Sequence, residues 1–274
     1  MAKKVACLGP MGSYSELAAR RLCPANEIVL CANFPAIFRA VIDKSADTGV
    51  IPIENSIQGG VLQNLDLLET QEVYAVAQTL IRIDHRLATL EGVELGAIRR
   101  VYSHEQAIGQ CSEFLNTYLP QAQCICTDST AKSLSLIDGE SAGIVGSHAQ
   151  REGVVLSKEN IANEKNNFTQ FFLIRRREEG LPEHGQTVFF SAVCEHRPGS
   201  LLALLMAFSE RGINLTRIES RPIRNVLGEY RFFICIDGDM NDAQVRAALD
   251  DAKQHCRQFR ILGFYGQPNA SDNR

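Results

Sequence analysis

The chain has no tryptophan, no C-x-x-C pair and no excess of basic residues. The last two absences each remove a class of function. A net charge of −4 gives no positive field to draw the chain to nucleic acid. The nine cysteines are odd in number and scattered, whereas secreted disulfide scaffolds and zinc sites both need paired, spaced thiols. They read as small buried hydrophobes in a reducing cytosol, and the expected location is cytoplasmic. No stretch approaches the 18 or so apolar residues of a membrane span. The start, MAKKVACLGP, has an apolar run too short for a signal peptide. No internal repeat or low-complexity tract stands out.

What is present is a globular composition, 45% hydrophobic and 22% charged over 274 residues, enough for one large domain or two modest ones. Residues 1–176 alternate strand-like runs (KVACLG, TGVIPIEN, RRVYSH, SAGIVGS) with helical patterns (SELAARRL, FPAIFRAVID, QAIGQCSEFLNTYL, STAKSLSLIDG). That alternation predicts an α/β domain with a largely parallel sheet. The charged stretch RRREEGLPEHGQ, residues 175–186, lacks apolar periodicity and reads as a solvated linker, with 177–186 joining the two domains. Beyond it the order strand, helix, strand, strand, helix, strand over 187–267 is ferredoxin-like. A polar tail, 268–274, closes the chain.

The turn GPMGSYS is neither a phosphate loop, since no Gly-Lys-Ser/Thr follows, nor a G-x-G-x-x-G dinucleotide turn. It leaves Gly12, Ser13, Tyr14 and Ser15 at a helix start, where free N–H groups suit an oxyanion. Other strand-following loops offer similar groups: Asn55, Ser56, Gly59 and Gly60; Ser103, His104 and Gln106; Thr127, Ser129 and Thr130; Asn167, Thr169 and Gln170. Ligands of parallel α/β sheets bind at the carboxyl ends of strands. The loops together therefore predict one pocket of neutral donors for a small polyanion. Taken singly, Ser56, Ser103 and Ser129 read as helix caps, and His104 as a capping or packing residue. A Ser103–His104–Asp128 triad has no G-x-S-x-G elbow behind it.

These pieces, in order, resemble the prephenate dehydratases that carry a C-terminal ACT regulatory domain: GPMGSYS, IPIENSIQGG, YSHEQAIGQC, DSTA, AGIVGS, NNFTQFFLI, RPGSLLALLMAF, NLTRIESRP and ILGFYG. The resemblance implies a two-lobed catalytic domain like a type II periplasmic-binding-protein core, crossed near residues 80 and 160, with an ACT domain after it. It implies conversion of prephenate to phenylpyruvate, carbon dioxide and water in phenylalanine biosynthesis, with no metal or redox cofactor. Thr169 is the implied hydrogen-bond donor to the leaving hydroxyl. Ser13, Asn55, Ser56, Gly59, Ser103, His104, Gln106, Ser129, Thr130, Gln170 and Phe171 are the implied substrate contacts. Feedback by phenylalanine is implied at Gly199, Ser200, Leu201, Asn214, Leu215, Glu219, Ser220, Arg221 and Pro222, in a homodimer or homotetramer.

The chain departs from the family pattern at four positions. Gln170 stands in the Thr-Arg-Phe motif, Gly60 where serine is common, Glu105 where proline is common, and Ser200 where alanine is common. Losing a cation that pairs a carboxylate costs about 1.5–3 kcal/mol of binding, with Lys132, Lys165 or Arg82 as the cations that could compensate. The alternatives are arogenate dehydratase or prephenate decarboxylase on the same scaffold, and a non-catalytic amino-acid sensor.

Overall fold

The computed structural model describes residues 3–223, 226 and 228–267, so the expected tail at 268–274 lies outside the described residues. The first lobe is built on the strands Lys4–Leu8, Glu27–Cys31 and Thr48–Asn55, which run parallel. Strand Phe168–Arg176 returns antiparallel between Thr48–Asn55 and Val73–Arg82. Helices Tyr14–Leu22 and Phe34–Ile42 cover this sheet with Ala18, Ala19, Ile37, Phe38 and Val41, all buried. Both faces of a parallel sheet must be covered, which explains why its strands read as unbroken apolar runs.

The chain leaves the first lobe through Ile83 and Asp84 and enters the second at strand His85–Leu90. The second lobe has five strands, in the order Val154–Leu156, His85–Leu90, Ser141–Gly146, Arg100–Ser103, Gln123–Cys126. The returning segment runs beside the outgoing one. The Ile83 N–H donates to the Asn167 carbonyl (2.8 Å), and the Ile161 N–H to that of His85 (2.9 Å).

Three local expectations change. The helix expected over QAIGQCSEFLNTYL is two pieces, Glu105–Gln110 and Ser112–Tyr118, broken at Cys111. The pattern STAKSLSLIDG forms one helical turn, Thr130–Ser133, then a 3-10 turn, Leu134–Leu136. The charged run at 175–179 is bonded in place instead of solvated. Arg175 donates to the Gly180 carbonyl, Arg176 to those of Val41 and Ala46, and Arg177 lies 4.3 Å from the Tyr74 ring centre.

The C-terminal domain is an antiparallel sheet, in the order Leu215–Pro222, Tyr230–Asp237, Thr187–Cys194, Cys256–Tyr265, with helices Ser200–Ser209 and Ala243–Gln254. Strand Cys256–Tyr265 meets Val73–Arg82 at one register point, Gly263 opposite Ala75, and joins the two sheets into one. A Cβ at Gly263 would stand 2.6 Å from the Ala75 carbonyl oxygen, so only glycine permits that approach. The join is apolar. Phe172 of the first lobe packs on Tyr265 (ring centres 4.8 Å apart) and Phe189 (5.7 Å) of the C-terminal domain.

Candidate active site

Between the lobes lies a cleft of about 290 Å³, at the small end of ligand cavities. It gathers side chains from every lip of the two lobes: Tyr14, Asn55 and Thr169 from the first; His85, His104, Gln106, Gln110, Ser129 and Thr130 from the second; Asn167 at the crossing. No lysine or arginine is among the described residues that line it.

Its centre is a hydrogen-bonded pair. Asn55 ends strand Thr48–Asn55, and Thr169 stands opposite it in the antiparallel register. The Asn55 amide nitrogen donates to Thr169 Oγ1 (3.0 Å), to Asn167 Oδ1 (2.6 Å) and to the Phe168 carbonyl (3.2 Å). Its oxygen accepts from the N–H groups of Ile57 and Gln58 (3.0 and 3.1 Å). Both acceptor and donor ends of the amide are thus fixed, and its orientation follows. Because Thr169 Oγ1 accepts from Asn55, its own hydrogen is left to point at a ligand. Both side chains are buried, so that hydrogen bond acts where water does not compete.

His85, which is buried, and Gln110, which is half-buried, form a second pair. His85 Nε2 lies 2.9 Å from Gln110 Oε1, which also accepts from Asn167 (3.4 Å). Burial lowers the His85 pKa, with the Gln110 bond opposing it, so the ring is neutral near pH 7. The hydrogen-bond arrangement assigns the proton to Nε2. On the other wall the Tyr14 hydroxyl donates to the Asp84 carbonyl (2.8 Å), and its pKa is raised by burial. Asp128, at the cleft edge, pairs with Lys132 (2.5 Å), and that bond lowers its pKa. Arg82 is turned to the Lys165 carbonyl (3.3 Å).

Asn55, His104, Gln106, Ser129, Thr130 and Thr169 come together here as the sequence reading expects. Ser129 and His104 also cap their helices, accepting from Lys132 N–H (3.2 Å) and Gln106 N–H (3.3 Å). Six expected contacts do not line the cleft. Ser13 is spent as a cap, donating to the Leu8 carbonyl (2.9 Å) and accepting from Glu16 N–H (3.2 Å). The Glu16 carboxylate in turn accepts from Gly12 N–H (2.6 Å). The anion held by this glycine turn is therefore the chain's own Glu16, which reaches back past the N-cap Ser13 to the Gly12 N–H, one residue before the N–H that a capping box uses. Ser56 braces the crossing, accepting from Phe168 N–H (2.9 Å) and donating to the Asn166 carbonyl (3.3 Å). Gly59 pairs with Asn55 in a hairpin at a φ of 79°. Phe171 is core, packed among Val5, Val50 and Ile81.

Gln170 is the fifth, and the reason is strand geometry. Residues 168–176 form a strand, not a loop, so Thr169 and Gln170 point to opposite faces. The Gln170 amide donates to Gln78 Oε1 (2.5 Å) in a cavity between the first lobe and the C-terminal domain. Its replacement of an arginine therefore removes no cation from the cleft.

Ser103 is the sixth: it is fully buried, and its hydroxyl donates to the Ile144 carbonyl (2.8 Å) instead of facing the cleft. Ser103→Ala is expected to lower stability by about 1 kcal/mol, read as a reduced urea midpoint at unchanged slope. An unmoved midpoint would show that this bond carries no net stability. Sequence reasoning missed Tyr14, His85 and Gln110 as cleft residues. Gln106 and Gln110 share a helix face at a spacing of four, a signal that was available. His85 begins a strand that no turn residue announces.

The regulatory candidates fall in two places. Ser200 and Leu201 line a 410 Å³ cavity with Cys194, Glu195, Arg197 and Tyr230, and Gly199 opens the helix there at a φ of 85°. Ser200 Oγ is already engaged, donating to the carbonyls of Glu195 (2.6 Å) and Arg197 (2.9 Å). Along strand Leu215–Pro222, Arg217, Glu219 and Arg221 turn to the first lobe, while Leu215 packs on the C-terminal core. Arg221 pairs with Asp66 (2.8 Å), Arg217 with Glu54, and Glu219 faces Gly60. Ser220 and Pro222 stand opposite Phe232 and Tyr230 in the register, and Asn214 bonds Asp237 (3.0 Å). Within one chain Glu219 and Arg221 are thus not in the Gly199 cavity.

Residues 5–179 match the family model for prephenate dehydratase, and residues 188–254 match that for the ACT domain. The chain belongs to the prephenate dehydratase family. A bifunctional chorismate mutase/prephenate dehydratase of Neisseria gonorrhoeae is 34% identical over 95% of this chain and 74% of that protein. A prephenate dehydratase of Amycolatopsis methanolica is 34% identical over 96% of this chain and 88% of that one. The crystal structure of prephenate dehydratase from Arthrobacter aurescens in complex with L-Phe superposes with a TM-score of 0.87, at 32% identity, covering 99% of this chain and 91% of that one. The fold is the α/β prephenate dehydratase fold, a type II binding-protein-like lobe pair followed by an ACT domain.

Proposed function

We propose that this chain converts prephenate to phenylpyruvate in the interlobe cleft. The ring carboxylate leaves as carbon dioxide. Its carbon–carbon bonding pair moves into the ring and expels the hydroxyl opposite, which takes a proton to become water. Aromatisation makes the step downhill, so the enzyme's task is to hold the conformation and stabilise the departing oxygen. The observation that carries this reading is the Asn55–Thr169 bond, which leaves the buried Thr169 hydroxyl hydrogen free for that oxygen. A cation beside the departing carboxylate would oppose its conversion to neutral carbon dioxide, and the cleft lining fits: no lysine or arginine is among the described residues that form it, and its donors are amide, hydroxyl and imidazole groups.

Residues 1–176 serve catalysis, 177–186 join the domains, and 187–267 serve regulation. Phenylalanine, bound to the Arthrobacter aurescens relative, is the expected feedback ligand here, at the Gly199–Leu201 cavity closed by residues 214–222 of a second copy. Association is supported by the outer strand Leu215–Pro222 and by exposed Leu202, Met206, Ile218 and Tyr230. Among the described cysteines all nine are free thiols, which supports a reducing, cytoplasmic setting.

Incubation with prephenate and, separately, arogenate tests the reading, with the product identified by its spectrum in base and by mass. The expected product is phenylpyruvate, formed at a higher kcat/KM than phenylalanine is formed from arogenate. A product that keeps the ring hydroxyl, or preference for arogenate, overturns it. Added phenylalanine is expected to suppress turnover, and a flat titration would remove the feedback role.

A further inference from the structure

The cleft is braced from behind by the C-terminal domain. Two neighbouring cross-strand pairs, Asn55 opposite Thr169 and Glu54 opposite Gln170, point to opposite faces of one sheet. The first pair enters the cleft. The second enters a cavity of about 240 Å³ between the domains, lined also by Gln78, Arg217, Cys235 and Tyr265. Gln170, opposite Glu54, is neutral and spends its amide on Gln78, so it supplies no counter-charge to Glu54. Arg217 reaches across from the C-terminal strand Leu215–Pro222. It bonds the Glu54 carboxylate and the Ile53 carbonyl (3.5 Å) with a side chain only 9% exposed. The Ile53–Asn55 backbone is therefore gripped by the C-terminal domain one residue from the amide that orients Thr169.

We propose that Arg217 is a positioning residue for the cleft: through Glu54 it sets the Ile53–Asn55 segment, and so makes the aim of Thr169 depend on how the C-terminal domain is docked. This deepens the dehydratase reading and rests on it. A ligand that favours a different docking of the C-terminal domain changes turnover through this contact, because it has differential affinity for the two arrangements.

The test compares four variants. Arg217→Ala is expected to lower kcat by about 10- to 100-fold, the scale of a misplaced catalytic group, with KM changed about twofold or less. Arg217→Lys is expected to retain part of the rate. In the double variant Arg217→Ala/Gln170→Arg, a guanidinium stands directly opposite Glu54 from within the catalytic domain. It is expected to restore kcat while losing the response to phenylalanine. Arg260→Ala removes another ion pair between the same domains, to Glu72 (3.0 Å), away from Asn55, and is expected to leave kcat within about twofold. Should Arg217→Ala not fold, Arg217→Gln takes its place.

Wild-type rates for Arg217→Ala overturn the proposal. So does an equal loss in Arg260→Ala, which would mean general undocking, or a double variant that does not recover. Absence of turnover in the wild-type chain is a failure of the dehydratase reading alone. Amide exchange at Ile57 and Gln58, which bond Asn55, then decides: faster in Arg217→Ala than in Arg260→Ala supports the route, and equal exchange overturns it.

Discussion

Thr169→Ala is expected to lower kcat for prephenate by about 10²- to 10³-fold, the cost of losing one preorganised donor to a developing oxyanion. A threonine hydroxyl is a poor free acid, so its value lies in being aimed before the carbon–oxygen bond breaks. The Asn55 amide supplies that aim at 3.0 Å, and burial keeps water from replacing it. The fold is expected to survive, because the lost atom's hydrogen-bond partner among the described residues is the Asn55 amide, which keeps Asn167 Oδ1 and the Phe168 carbonyl. Thr169→Ser keeps the hydroxyl and is expected to retain most of the rate. Steady-state kinetics with circular dichroism as a folding control reads both. A Thr169→Ala enzyme within about threefold of wild type would remove Thr169 from the chemistry.

The second large effect is expected for Asn55→Asp, a change of one atom. The aspartate keeps an oxygen for the Ile57 and Gln58 amides. It places a second oxygen where the donor nitrogen stood, facing Asn167 Oδ1 and the Phe168 carbonyl. Thr169 then donates its hydrogen back to the carboxylate, away from the substrate. The expected result is a loss in kcat as large as that of Thr169→Ala, with stability lower by about 1–3 kcal/mol for the acceptors left facing one another. The double variant Asn55→Asp/Thr169→Ala is expected to be no slower than the worse single, since the two act as one unit. Burial raises the pKa of the new carboxyl, and only its protonated form can donate. Activity of Asn55→Asp is therefore expected to recover in part as pH falls. Full additivity in the double variant would separate the two residues.

Much of the fold was legible because local signals agreed. KVACLG, TGVIPIEN and SAGIVGS are short apolar runs closed by turn residues, and they are strands Lys4–Leu8, Thr48–Asn55 and Ser141–Gly146. The crossing was harder to place. Residues 73–90 contain neither glycine nor proline, so nothing local marks where Val73–Arg82 stops and His85–Leu90 starts. The break is set by which lobe each half packs into, a tertiary effect. His85 went unseen for that reason. The misplacement of Gln170 had another origin. The polar lead-in Asn166–Asn167 made the segment look like a loop, where neighbouring residues can share a site. Read as a strand, Thr169 and Gln170 separate at once. The serines divide on a similar principle. Ser13, Ser56 and Ser129 each cap or brace the backbone beside them. Whether a cap also faces a cavity depends on the opposite lobe.

The departures at Gly60 and Glu105 have physical settings as well. A Cβ at Gly60 would approach Glu219 of the C-terminal domain at 3.7 Å, ordinary contact, so the position is a domain contact. Glu105 opens the helix Glu105–Gln110, where a carboxylate complements the helix dipole.

The most direct test of the account is phenylpyruvate formation from prephenate by the purified wild-type chain, followed by its absorbance in base with and without phenylalanine. The expected result is turnover with neither metal nor redox cofactor added, suppressed as phenylalanine rises. Prephenate left intact, or decarboxylated with its hydroxyl retained, would contradict it.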